Sequence, residues 1–114
     1  MPMLKIQTNT SVAEENRKAL ASLASTTVAE LLGKPERYVM VSIEENPCML
    51  FGGSDAPLAY LELKSIGLPD SQTSEFSARL AKLLEEQLGL PADRVYIEFA
   101  DAARNMWGWN GGTF

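Results

Sequence analysis

Apolar and polar positions alternate in four separate stretches of the chain, and the two long segments between them repeat apolar residues at three- and four-residue spacing. Residues 4–8 alternate, which predicts a short strand with one buried face. Ser11 followed by Glu14 has the spacing of a capping box. Leu20, Leu23, Ala24, Thr27, Val28 and Leu31 then trace one apolar stripe along a helix of about five turns, which Gly33 and Pro35 stop. Residues 38–45 alternate again, with Val39, Val41 and Ile43 on one face and Tyr38, Met40, Ser42 and Glu44 on the other. Asn46 and Pro47 break that strand, a short apolar piece follows at 49–51, and Gly52, Gly53, Ser54 and Asp55 make a turn. In the next strand, 58–66, Ala59, Leu61 and Leu63 stand opposite Tyr60, Glu62 and Lys64. Gly67, Pro69 and Asp70 open a second helix striped by Phe76, Leu80, Leu83, Leu84 and Leu88, which Gly89 and Pro91 end. The last strand, 94–99, points Val95, Ile97 and Phe99 one way and Tyr96 and Glu98 the other.

The halves echo each other: Leu32-Gly33-Lys34-Pro35 before Val39-Met40-Val41 matches Leu88-Gly89-Leu90-Pro91 before Val95-Tyr96-Ile97. Such a repeat reads as a duplicated β-α-β unit. The expected fold is α+β, a two-layer sandwich of one four-stranded mixed sheet with both helices on one face, in a single domain over residues 1–114. The other face carries Met40, Tyr60 and Tyr96, and the tail holds Met106, Trp107, Trp109 and Phe114. These large groups have no obvious home within one chain, so self-association is expected. The competing arrangement folds the tail back over its own sheet.

Composition narrows the chemistry. A chain of 114 residues supports one core, and 46% apolar with 22% charged residues is globular rather than disordered. No apolar run nears the roughly 18 residues of a membrane span. The net charge of −5, with scattered cations, disfavours nucleic acid. The opening residues lack a secretory pattern, so cytoplasmic residence is expected. Cys48 is the one cysteine and histidine is absent, which excludes an intrachain disulfide, the usual zinc site and any imidazole-based triad. A base must then be a carboxylate, a lysine, a tyrosine or the amino terminus. Pro2 stands out. Loss of Met1 would expose its secondary amine, and an apolar wall or a nearby cation would hold that amine neutral.

Several segments together resemble the macrophage migration inhibitory factor family: Met1-Pro2-Met3, Gly33-Lys34-Pro35 with Tyr38, Phe51-Gly52-Gly53-Ser54, Ser65-Ile66-Gly67, Asp93-Arg94-Val95-Tyr96-Ile97, and Gly108-Trp109-Asn110 to Thr113-Phe114. The resemblance runs over the whole chain. It implies the tautomerase fold, a homotrimer with pockets between subunits, and keto-enol tautomerisation of aromatic α-keto acids such as phenylpyruvate, without metal or organic cofactor. It assigns Pro2 as catalytic base and Lys34 with the backbone N–H of Ile66 to the substrate carboxylate. Tyr96 would reach in from the adjacent subunit to the ketone oxygen. The resemblance also places Ser65 and Glu98 among the substrate-binding residues, although Ser65 and Ser54 lack any partner that would make either a nucleophile. Met3, Tyr38, Trp107, Trp109 and Phe114 resemble pocket walls. Taken alone, Lys34 is a cation complementing a helix C-terminus, and Tyr96 a strand tyrosine with its hydroxyl in water.

Three departures qualify the match. Leu58-Ala59-Tyr60-Leu61 stands where signalling relatives carry a Cys-x-x-Cys pair, so thiol-disulfide chemistry is not expected. Glu98 replaces an asparagine, and its charge would repel an acid or raise the pKa of Pro2. Trp107 replaces a smaller aliphatic residue and should narrow the mouth. A second reading is a receptor-binding, cytokine-like trimer exported without a signal peptide. A third is hydration or dehalogenation of unsaturated acids, which draws on arginines around the proline; Arg37, Arg94 and Arg104 are present, none next to Pro2 in sequence.

Overall fold

A computed structural model describes all 114 residues. Its elements are β1 (Met3–Thr8), α1 (Glu14–Leu32), β2 (Met40–Glu45), β3 (Ala59–Ile66), α2 (Thr73–Leu88), β4 (Val95–Ala102) and a terminal hairpin of β5 (Gly108–Trp109) with β6 (Gly112–Thr113). The main sheet runs β2-β1-β3-β4. Its outer pairs are parallel and its central pair, β1 with β3, is antiparallel, with Met3 opposite Lys64. This is the expected mixed sheet of two β-α-β units.

The period-2 residues of the strands meet the helical stripes on one side of the sheet. Leu4 and Ile6 of β1 and Leu61 and Leu63 of β3 lose all exposure against Leu20, Ala24 and Val28 of α1 and Leu80 and Leu84 of α2. Each such Leu or Ile contributes about 1.5–3 kcal/mol of burial. Val41, Ile43, Val95, Ile97 and Phe99 pack against this cluster from the outer strands.

The duplication extends to the joints. Gly33 (φ 61°) and Gly89 (φ 69°) each end a helix in the left-handed conformation that costs a side-chain-bearing residue most. Pro35 and Pro91 then each open a 3₁₀ turn, Glu36–Tyr38 and Ala92–Arg94. Tyr38 and Arg94, expected to begin strands, belong to these turns instead: their N–H groups donate to the Pro35 and Pro91 carbonyls at 3.1 and 2.9 Å. The halves part where Leu90 is fully buried and Lys34 is only half-buried.

One further expectation needs correction. Ser11 does not cap α1, because the chain stays extended through Ala13, the N-cap, which has no side-chain hydrogen bond. Glu45 at the end of β2 fastens the approach to the helix: its Oε1 accepts the N–H of Val12, just ahead of the N-cap, at 3.1 Å and lies 3.7 Å from Arg17. The aromatic tail takes up part of the competing arrangement, folding onto its own chain while Met106 and Trp109 stay largely exposed. Asn110 (φ 52°) and Gly111 (φ 77°) make a tight hairpin turn, which folds Trp109 and Phe114 onto Tyr38. Met40, Leu50 and Tyr96 remain 66%, 70% and 64% exposed.

Candidate functional site

Pro2 sits just ahead of β1, fully buried. Its carbonyl accepts the Met40 N–H at 3.0 Å, so the pairing of β1 with β2 already holds it. Around it lies a cavity of about 320 Å³ walled by Met1, Met3, Tyr38, Val39, Met40, Trp107, Trp109 and Phe114, with Arg37 at the wall. The aromatic side is a packed unit. Trp109 and Phe114 stack at 5.3 Å, and both meet the Tyr38 ring edge-on, at 5.6 and 5.8 Å. The sequence-predicted walls Met3, Tyr38, Trp107, Trp109 and Phe114 thus all converge with Pro2.

The electrostatics favour a neutral amine. Burial first, then the charges of Lys34 and Arg104, hold the Met1 amino group below the ordinary α-amino range. Arg104 comes from the turn before the hairpin, and its Nε donates at 3.1 Å to a main-chain oxygen of Phe114, the last residue, where that oxygen belongs to a carboxylate. Arg37 lies over the Tyr38 ring, 4.8 Å from its centroid.

Ser65 and Ile66 end β3. Continuing the register of Met3 with Lys64 brings them abreast of Pro2 and Met1. Ser65 itself is fully buried, and its hydroxyl donates to the Ile66 carbonyl at 3.2 Å. Its side chain shapes the strand end rather than facing the cavity. Tyr96 and Glu98 are not brought to Pro2 within one chain. Ala100 is the β4 residue level with Lys64 and Met3; Tyr96 lies four residues away along β4, roughly 13 Å, and two strands across. There Tyr96 packs on Phe51 at 4.5 Å and helps line a second, apolar cavity with Met49, Leu50, Leu58 and Tyr60. Glu98 stands opposite Glu62, and the Tyr60 hydroxyl bridges the two carboxylates, within hydrogen-bond reach of Glu98 and 3.1 Å from Glu62. Those acceptors raise the Tyr60 pKa, Glu98 most.

Sequence reasoning missed Arg104 and Met40 as parts of the site and left Arg37 outside it. Their chain positions carry no signal, because the tail hairpin and the β1–β2 pairing create the proximity. It also missed what Arg94 does: its guanidinium donates to the carbonyls of Phe51, Ser54, Ala56 and Pro57, at 2.8, 3.1, 2.8 and 3.4 Å. Two segments quoted separately above, Phe51-Gly52-Gly53-Ser54 and Asp93-Arg94-Val95, are therefore one structural unit.

A family model described as macrophage migration inhibitory factor matches residues 1–114. A macrophage migration inhibitory factor homolog of Brugia malayi is 40% identical over all of this chain and 99% of its own length, and the factor of Mus musculus is 36% identical over the same shares. Among solved structures, a homologue from Prochlorococcus marinus superposes with a TM-score of 0.92 at 43% identity, covering 98% of both chains. The Trichinella spiralis structure gives 0.90 at 35% identity, covering 98% of this chain and 99% of its own.

Proposed function

The chain belongs to the macrophage migration inhibitory factor family, and from that premise we propose that it is a keto-enol tautomerase of aromatic α-keto acids such as phenylpyruvate, with Pro2 as base once Met1 is removed. The observation that carries this reading is the site of the amino terminus: Pro2 is buried beside an aromatic-walled cavity, where burial and two cations lower the pKa of the Met1 amino group. With Met1 gone, the free nitrogen would be that of Pro2, which is more deeply enclosed still. A neutral secondary amine there takes a proton from the carbon next to the ketone and returns one to the other end of the enol system. Lys34 and the Ile66 N–H hold the carboxylate, and oriented donors of this kind stabilise charge most where water is excluded.

The reading includes a homotrimer. Tyr96 is far from Pro2 in its own chain and largely exposed beside an apolar cavity, which suits a tyrosine that serves a neighbour's site through its hydroxyl. Glu98 would then approach that site as well, its charge moderated by the Tyr60 hydroxyl.

The test joins intact mass, to establish whether Met1 is present, with phenylpyruvate enol-keto rates for the wild type and Pro2→Gly. Loss of at least about 100-fold in the variant is expected for removal of a general base. Equal rates would exclude the amine. Light scattering checks the assembly, and a monomer would separate Tyr96 from the reaction.

A further inference from the structure

The cavity beside Pro2 is walled by one charged side chain, Arg37; every other lining residue is apolar, aromatic, proline or glycine. The chain has five arginines, and four of them are matched to oxygens of their own chain. Arg17 and Arg79 pair with Glu45 and Glu30 at 3.7 and 3.9 Å. Arg94 spends its guanidinium on four loop carbonyls, and Arg104 donates to a terminal oxygen of Phe114 at 3.1 Å. Arg37 has neither an ion pair nor a hydrogen bond. Its guanidinium lies over the Tyr38 ring instead, 4.8 Å from the centroid.

A guanidinium held against a ring face keeps its N–H donors, which lie in its own plane, free for a planar anion. The ring also limits where it sits, because Tyr38 is itself packed against Trp109 and Phe114 at 5.6 and 5.8 Å. Apolar walls strengthen the pull of such a cation on an anion relative to open water. Chain connectivity ties it to the base: Arg37 belongs to the turn Glu36–Tyr38, and just beyond it the Met40 N–H donates to the Pro2 carbonyl at 3.0 Å. We propose that Arg37 selects ionised acids at this cavity, taking the substrate carboxylate in bidentate fashion while the substrate ring lies on the aromatic wall. The proposal rests on the tautomerase reading and deepens it: beside Lys34, which does not wall the cavity, the acid gains a partner that does.

The test is binding, read by the fluorescence of Trp107 and Trp109, which line the cavity. Protein lacking Met1 is titrated with 3-phenylpropanoate, which has the skeleton of phenylpyruvate without its ketone, and with the uncharged 3-phenylpropanamide. The acid should bind about tenfold more tightly than the amide, a margin that shrinks as salt rises. Arg37→Gln should cut the margin to about twofold by weakening the acid alone, while amide affinity, which reports the wall itself, stays unchanged. Arg37→Lys, which keeps the charge without the planar fork, should retain part of the margin, and Arg79→Gln, on the helical face, all of it. Equal binding of the two ligands by the wild type overturns the proposal. So does a margin that survives Arg37→Gln, or a loss there shared equally by acid and amide, which would make Arg37 only a support for Tyr38. A margin that depends on Arg37 in a protein that does not turn over phenylpyruvate refutes the reaction and leaves the acid site standing; turnover whose KM is unmoved by Arg37→Gln does the reverse.

Discussion

Replacing Arg94 by methionine keeps most of its aliphatic bulk and removes the guanidinium that ties the 51–57 loop to the start of β4. Three of its hydrogen bonds are well formed, at 2.8, 2.8 and 3.1 Å, and the fourth, at 3.4 Å, is weak. The loop is largely exposed, so its carbonyls regain water, and each good bond is worth about 0.5–1 kcal/mol rather than the larger value of a buried charged bond. The Arg94 contact over the Phe51 ring, at 5.0 Å, adds roughly 0.5 kcal/mol. The sum is about 2–3 kcal/mol. For an unfolding slope of about 1.5 kcal/mol per molar urea, the midpoint falls by about 1–2 M. Protein concentration must be held constant, since association would shift the midpoint by itself. Amide exchange should accelerate across residues 51–58 and stay unchanged in α2. Arg94→Lys should recover less than half of the loss, because one ammonium cannot span four carbonyls. A loss below about 1 kcal/mol, or full rescue by lysine, would refute the clamp.

Other outcomes follow from the same structure. The phenylpyruvate rate should rise with pH as the Pro2 amine loses its proton, since deprotonation makes the base. Lys34→Met and Arg104→Met should each move that rising limb to higher pH, because each removes a charge that favours the neutral amine; an unmoved limb would separate those cations from the base. Gly33→Ala should destabilise by about 1–2 kcal/mol, as a Cβ there meets no atom within 4 Å and only the positive φ opposes it, and Gly33→Asn should cost less; thermal melts decide. Phe76→Ala, in the core against Phe99, should cost about 3–5 kcal/mol in urea denaturation.

The fold was legible because its signals are local. Strand alternation and helical stripes depend on neighbouring residues, and Gly33 and Gly89 mark helix ends through their own backbone freedom. Errors arose where the partner lies far along the chain. Ser11 has the right spacing for a cap, yet the helix starts only after Ala13, while a carboxylate from β2, 33 residues away, holds the Val12 N–H on the approach. Tyr38 and Arg94 continue an alternating pattern, yet the proline before each turn imposes a bend first. The resemblance named Pro2 and its aromatic walls, whereas Arg37 lines the cavity from the turn before β2 and Arg104 nears it through the terminal hairpin and Phe114. Trp109 and Phe114 meet Tyr38 in their own chain, and Trp109 still keeps about half of its surface exposed.

The two halves share strands, helix ends and turns, but a peptide-bonded nitrogen has no basic lone pair, so Ala59, which occupies in β3 the place of the residue just before Met3 in β1, cannot offer a second main-chain amine. If the terminal amine is the base, each polypeptide carries one such centre, and its stoichiometry is set by connectivity.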